Sequence, residues 1–570
     1  MQFKKLRLIF YSLLVSSLSF GQLINDSTNF RSPVDFPIYL SGNFGEIRST
    51  HFHAGIDIKT QGVTGKKIHA VEDGYISRIK VSTNSYGKTI YISHPNGFTT
   101  VYGHLSMFNS KIAKLIKDMQ YENNEFEINY FPKQDEFPIK KGDIIAYSGN
   151  TGSSEGPHLH FEVRETNEQI PVNPMFFNFE IKDNIPPVLY NLVIYPLNKN
   201  SKINGIHKTT HFKLKKNNGL YSIADTNKIY LEGEIGFGIE MYDFLNGSHN
   251  RCGIYTLEVF VDSLKIYTHS LDKFSFYEAS YVKSHIDYAE KTRSKRTIQK
   301  TFIAPNNNLS IYKSNINKGM FLFNQNTLHN IKINASDVYG NKSMLSFNVQ
   351  AKCIKSNPKE KIHDSGIFMN WKEDNTFESD EIKIYIPKNS LFDTLYFKYS
   401  KSKPEFKAYS NIHHIHNIYT PINKSYSVTI ETIDLPSELK NKAFVAELLE
   451  DEINSIGGEI INGHIVAEAK TFGDFVVLVD TVSPEIISLT DFNKINRKIS
   501  FTIKDNLTDI KSYKGYIDNN WALFEYDQKN DLLFYIIDKD RLEKGKDHEL
   551  ELFIIDNKDN ISTYYTKFYW

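Results

Sequence analysis

Cysteine is nearly absent from this chain: Cys252 and Cys353 are the two among 570 residues. Two thiols can close at most one disulfide, so a disulfide scaffold is excluded and each domain must rest on a hydrophobic core. An excess of one charge is missing too. With 67 basic and 67 acidic residues the formal charge is +0, which leaves no global electrostatic footprint for nucleic acid. Tryptophan is scarce at three residues, yet 34 Tyr and 40 Phe bring the aromatic content to 14%, a composition that suits pleated, half-buried surfaces and favours β structure. Long apolar runs are also wanting. The longest, Leu8 to Leu18, follows Lys4, Lys5 and Arg7 and precedes the small residues Ser19 and Gly21. It is shorter than the roughly 20 residues of a spanning helix and reads as a secretory signal over residues 1–21, with cleavage before Gln22. No cysteine follows to take a lipid. The expectation is a periplasmic or secreted protein with no transmembrane anchor after signal cleavage.

A chain of this length exceeds one core and divides into several domains. From about Tyr39 to Phe179, strand-like alternation runs between turn signals such as Pro95-Asn96-Gly97 and Lys141-Gly142-Asp143. This gives an N-terminal antiparallel β-domain over 22–180. Inside it, a segment at about 108–136 carries Ile112, Leu115, Ile116 and Met119 at helical spacing. A helix docked on the sheet is expected there, and the insertion is expected to cover part of the cleft. Beyond it lies a weak internal repeat. DNIPPVLYNL from Asp183 resembles DTVSPEIISL from Asp480, and Asp337 and Asn341 are spaced as Asp556 and Asn560 are, between two strand-like runs. The fold class expected is mainly β, the N-terminal domain being followed by two or three immunoglobulin-like β-sandwich domains: a sandwich region at 183–352, with insertions such as the basic stretch Lys291 to Lys300, a β-rich domain at 355–478, and a sandwich at 480–570.

Chemistry concentrates in two short strings, HFHAGID and GPHLHFEV. The first offers His53 and Asp57 as His-x-x-x-Asp, the second His158 and His160 as His-x-His. Residues two apart on a strand face the same side, so His158 and His160 can address one cavity. One imidazole can bind a metal while its neighbour reaches the reacting water. Two nitrogens and a carboxylate oxygen make a three-ligand site with a fourth position open to water, which separates a catalytic zinc from a structural one.

These strings, with GVTGKKIHAVEDGYI, YGKTIYISHPNG, TVYGHLS and KKGDIIAYSGNTG in the same order, resemble the lysostaphin/LytM-type zinc endopeptidases that cut peptidoglycan peptides. The resemblance covers roughly Gly42 to Pro174. It implies Zn2+ held by His53, Asp57 and His160, with His104 and His158 serving catalysis, and hydrolysis of peptide bonds in peptidoglycan stem peptides or cross-links. Peptidoglycan is then the expected partner, and envelope proteins are candidates for the sandwich region. The alternative of another class is a non-catalytic LytM-like regulator or binding module of the cell envelope, although such members typically lose ligands or catalytic histidines and this chain keeps all five. His51 competes with His53 as a ligand, but the family spacing selects His53. His69 and His94 read as structural. Arg48 is a candidate for the groove, Asn173 for a cap, and the cluster His413, His414 and His416 for plain surface.

Overall fold

The computed structural model describes residues 30–225, 227–352, 366–450, 452–495 and 497–570. The signal segment and Cys353 lie outside the described residues. The chain is mostly strand, as its aromatic-rich composition leads one to expect.

The N-terminal domain is built on one antiparallel sheet. Its strands run in the order Leu40–Gly42, Ile56–Lys59, His158–Glu165, Phe98–Leu105, Lys88–Ser93, Gly74–Val81 and Ile128–Tyr130. The strand carrying the His-x-His motif is therefore central. On one face Leu159, Phe161 and Val163 are wholly buried against Ile56, Ile58 and Tyr102, each large side chain contributing about 1.5–3 kcal/mol of burial. The opposite face, which alternation alone would give to solvent, is buried as well: His160, Glu162 and Arg164 are 2%, 0% and 7% exposed. Tyr86 stacks on His160 at 4.5 Å, and the Arg164 guanidinium lies over the rings of Tyr91 and Phe276. Gly55 of the first motif is required by close approach, since a Cβ there would collide with the carbonyl of Phe161.

The helix falls at Ser110–Asn123. Asn109 caps it by accepting from the Ile112 N–H, and Asn124 ends it in the left-handed conformation with φ 52°. Ile112 and Ile116 join the sheet's core. The expectation that this insertion covers the cleft is corrected. No residue of 108–136 lines the cleft, because the helix spends its other face on the last domain: Lys117 pairs with Asp538 at 2.7 Å, Tyr121 meets Trp521 edge-on at 5.2 Å, and the Arg541 guanidinium sits 3.6 Å from the Tyr121 ring centre.

The region from Val188 to Ala351 forms one continuous sheet of 12 strands around a core including Leu192, Phe237, Ile333 and Leu345. The basic stretch Lys291 to Lys300 takes in the end of the short helix Tyr288–Ser294 and the strand Ile298–Lys300. Further on, two five-stranded sheets share a core with Ile384, Val428, Phe475 and Val477, and two four-stranded sheets share one with Phe501, Leu533, Leu550 and Ile554.

Candidate metal centre

Register brings the first two motifs together. In the antiparallel pairing of Ile56–Lys59 with His158–Glu165, Asp57 stands directly opposite His160. His53 precedes that strand and is folded back so that its N–H donates to the Glu46 carbonyl at 2.8 Å. One ligand-capable atom from each of His53, Asp57 and His160 lies within 4.8 Å of the others. His53 Nε2 is 3.0 Å from His160 Nδ1, and Asp57 Oδ1 is 3.0 Å from the first and 2.9 Å from the second. Two ligands on a tetrahedral zinc at about 2.0–2.1 Å lie roughly 3.3 Å apart, so these three atoms need part only slightly to hold one.

The second nitrogen of each imidazole is already committed. His53 Nδ1–H donates to the Asn43 carbonyl at 2.8 Å, leaving Nε2 with its lone pair toward the cluster. His160 Nε2–H donates to Glu162 Oε1 at 2.8 Å, which leaves Nδ1 as the inward atom; Glu162 is held in turn by Arg164. This is the carboxylate–histidine arrangement that orients metal ligands. Asp57 divides its oxygens: Oδ1 faces the two imidazoles and Oδ2 accepts from Arg48 Nη2 at 2.9 Å.

The electrostatics favour a cation at this point. Burial alone would raise Asp57, yet the imidazoles of His53, His158 and His160 gathered around it hold its carboxyl well below the usual range. Burial opposes protonation of His160, but Asp57 and Glu162 overcome it and lift its pKa to about 9. A donor set that draws positive charge this strongly into a buried position fits a divalent metal.

His104 and His158 form the far side. His104 follows Gly103, which pairs with His160 across the sheet, and it adopts φ 58°, a left-handed conformation costly for a side chain of this kind. The turn aims its ring at His158, with centroids 4.8 Å apart. His104 Nδ1–H donates to the Thr151 carbonyl at 2.8 Å, and His158 Nδ1–H to that of Gly156 at 2.8 Å. Each Nε2 is thereby left free, that of His158 lying 3.4 Å from Asp57 Oδ1. Burial, aided by the neighbouring imidazoles, pushes His104 down to about 3, so it is neutral near pH 7.

All five residues line one cleft of about 930 Å³, with Arg48, His51, Tyr86 and Asn250. His51 is in its wall but outside the three-residue cluster. His69 bonds Asp35 and the Gly142 carbonyl, and His94 bonds Asp73 and Thr100, both away from the cleft. Asn173 caps the turn Pro174–Phe176. The expectation of plain surface for the cluster His413, His414 and His416 is corrected: His413 is wholly buried and bonds Tyr399, His414 bonds Asp474 and Ser402, and His416 bonds Thr420. Cys252 is buried and free. Sequence reading missed Glu162, Asn43, Thr151 and Tyr86. For Glu162 a signal existed, as it continues the alternation of His158 and His160; for the two backbone carbonyls of Asn43 and Thr151, which accept from the imidazoles, there was none.

Residues 51–121 and 127–174 match Peptidase family M23, and residues 366–480 match the Zu5-like domain. The chain is 33% identical over 129 residues to a DD-carboxypeptidase/endopeptidase Mpg of Neisseria meningitidis, covering 23% of this chain and 23% of that protein. It is 28% identical over 163 residues to the peptidoglycan DD-endopeptidase ShyA of Vibrio cholerae, covering 27% of this chain and 31% of that one. The chain thus spans about a quarter to a third of the length of these relatives. Among solved structures, the catalytic domain of the prophage-encoded M23 protein EnpA from Enterococcus faecalis aligns at 24% identity over 26% of this chain and 95% of that one, with a TM-score of 0.19. The matched segment is where the His53, Asp57 and His160 cluster lies, and this chain carries in it a LytM-type metallopeptidase domain of peptidase family M23.

Proposed function

We propose that this protein is an exported zinc-dependent endopeptidase that hydrolyses peptide bonds in peptidoglycan stem peptides or cross-links. The observation that carries the reading is the convergence of His53 Nε2, Asp57 Oδ1 and His160 Nδ1 to 2.9–3.0 Å, with the other nitrogen of each ring held from behind by Asn43 or Glu162. These atoms would hold the zinc, which when bound lowers the pKa of a water to about 7 and polarises a carbonyl. The remaining chemistry falls to the protein's own groups. His104, kept neutral by burial, offers Nε2 to the proton of the attacking water. His158, tied at Nδ1 to Gly156, offers its free nitrogen to the oxyanion or to the leaving amine. Glu162 holds His160 in one tautomer, and Arg48 keeps the second oxygen of Asp57 occupied. The meningococcal and Vibrio relatives, named for carboxypeptidase and endopeptidase activities, support peptidoglycan as the substrate class. Among the described residues no helix is long and apolar enough to cross a membrane, which accords with action in the periplasm or outside the cell. The sandwich domains would hold the cleft near wall or partner and raise its effective concentration there.

The test pairs metal content with product. Purified protein should bind one zinc in the N-terminal domain and release peptides from purified sacculi, with mass spectrometry of the fragments naming the bond. Zinc-loaded protein that releases nothing from sacculi of any cross-link type would overturn the reading.

A further inference from the structure

Two triads of aspartates stand outside the cleft, one in each sandwich that carries the sequence repeat. Asp183, Asp243 and Asp337 bring one oxygen each within 4.8 Å of one another, and Asp480, Asp505 and Asp556 do the same. They are one arrangement built twice. Asp183 and Asp480 stand in the segment entering the sandwich, and each accepts the N–H two residues on, from Ile185 at 3.0 Å and Val482 at 3.1 Å. Asp243 and Asp505 directly follow the strands Tyr230–Tyr242 and Lys498–Lys504. Asp337 and Asp556 open the final hairpin. Each accepts the backbone N–H of the asparagine four residues on at 2.9 Å and its side-chain amide at 2.7 Å. Asn341 and Asn560 then donate to the carbonyls of Asp183 and Asp480 at 3.3 and 3.1 Å. Three chain segments therefore meet at the same pole of both sandwiches.

These hydrogen bonds leave part of each triad unsatisfied. Asp243 is 1% exposed and its Oδ1 has no donor; Asp183 and Asp505 are half-buried, and Oδ2 of the first and Oδ1 of the second also lack one. A buried carboxylate oxygen lacking a partner is expensive, and other carboxylates beside it make it more so. The charges acting on Asp243 are those of Asp183 and Asp337, and with burial as the larger cause they push its carboxyl up to about 8. A divalent cation among the oxygens turns this repulsion into attraction. The donor set is all oxygen, which selects a hard ion over zinc. It comes from three separate loops, with backbone carbonyls and water to fill the remaining positions, a loose set that suits Ca2+ better than the near-ideal octahedron Mg2+ demands.

Both poles are joints. Leu245 and Cys252, near the first triad, belong to the core of the peptidase domain, and Val338 packs on it. At the second, Leu507 packs on Phe444, Ala446, Val476 and Leu478 of the preceding domain, and Lys442 donates to the Lys558 carbonyl at 2.6 Å. We propose that the two triads are calcium sites, each fixing a sandwich to the domain before it.

The test uses the full chain, zinc-loaded and in calcium-free buffer, titrated with CaCl2 by calorimetry. Two Ca2+ should bind per chain, with dissociation constants of about 10⁻⁵–10⁻³ M, and saturation should raise the Tm by about 2–4 °C. Asp243→Asn and Asp505→Asn should each remove one equivalent and the pair of substitutions both, with zinc content unchanged. Asparagine preserves shape and removes a buried charge, so these variants should fold. If Asp243→Asn does not, the wild-type stoichiometry and Asp505→Asn still decide. A wild-type protein that binds no Ca2+ up to about 10 mM, far above the range of extracellular modules, would overturn the proposal. So would a double variant that still binds two equivalents, or Mg2+ binding as tightly as Ca2+.

Discussion

The cleft of the peptidase domain and the poles of the sandwiches each gather three ligand-capable side chains, yet they are built differently. In the cleft, two of the three donors are nitrogens on or beside a central strand, and each ring is locked from behind by a carbonyl or a carboxylate. At the poles all donors are carboxylates in loops or at a strand end, and some of their oxygens have nothing behind them. The first arrangement is stiff enough to hold a reacting geometry; the second can close around an ion but cannot aim one. The contrast teaches where chemistry and where cohesion belong in this chain.

It can be broken by substitution. The largest effect is expected from Asp57→Ala, which removes a donor and leaves Arg48 with Glu46 as its remaining partner: zinc content should fall toward zero and peptide release to background, while the two Ca2+ equivalents persist. Retained zinc would place the metal elsewhere. His104→Ala should keep the zinc and lower turnover by about 10²–10⁴-fold, the usual range for a lost acid–base group; a loss of metal with it would make His104 a ligand. Glu162→Gln should weaken zinc binding by about 10–100-fold, as loss of a ligand's orienting partner does, with measurement by competition against a chelator; unchanged affinity would make the Glu162 contact incidental. The smallest effect is expected from Trp521→Ala at the distal contact with Tyr121. It should cost about 1 kcal/mol of docking, seen as faster hydrogen exchange at Ser148–Ser154 with zinc content unaltered. Exchange identical to wild type would detach the last domain from any influence on the cleft.

Much of the cleft was legible before the fold. Strand spacing set His158 and His160 on one face, the resemblance to LytM-type endopeptidases implied His53, Asp57 and His104 beside them, and the central strand was readable from Leu159, Phe161 and Val163. What escaped were partners far apart in the chain. Asn43 holds His53 and is itself bonded on both sides to Gly253 of the first sandwich, a link across 210 residues that no local pattern encodes. The aspartate triads were half visible: the Asp–Asn pairs and the proline-led entries marked the repeat, but Asp243 and Asp505 lie in segments with little sequence likeness, and only the shared sandwich places them alike. The insertion misled because helical spacing records which face is apolar and says nothing of what its other face meets. Here that face holds Lys117 and Tyr121, and the last domain claims both.

The contact between the ends of the chain carries a consequence for biosynthesis. Lys529 reaches from the last domain to the carbonyls of Asn150 and Gly152, and Lys88 pairs with Glu525 at 2.8 Å, so the loop running to His158 leans on a residue made 377 to 379 positions later. Domains fold in the order they emerge, and the peptidase sheet is complete long before this brace exists. The cleft wall therefore reaches its final footing only when the last domain has been made and has folded. A nascent or truncated product would carry the full set of candidate ligands on a wall that lacks this brace.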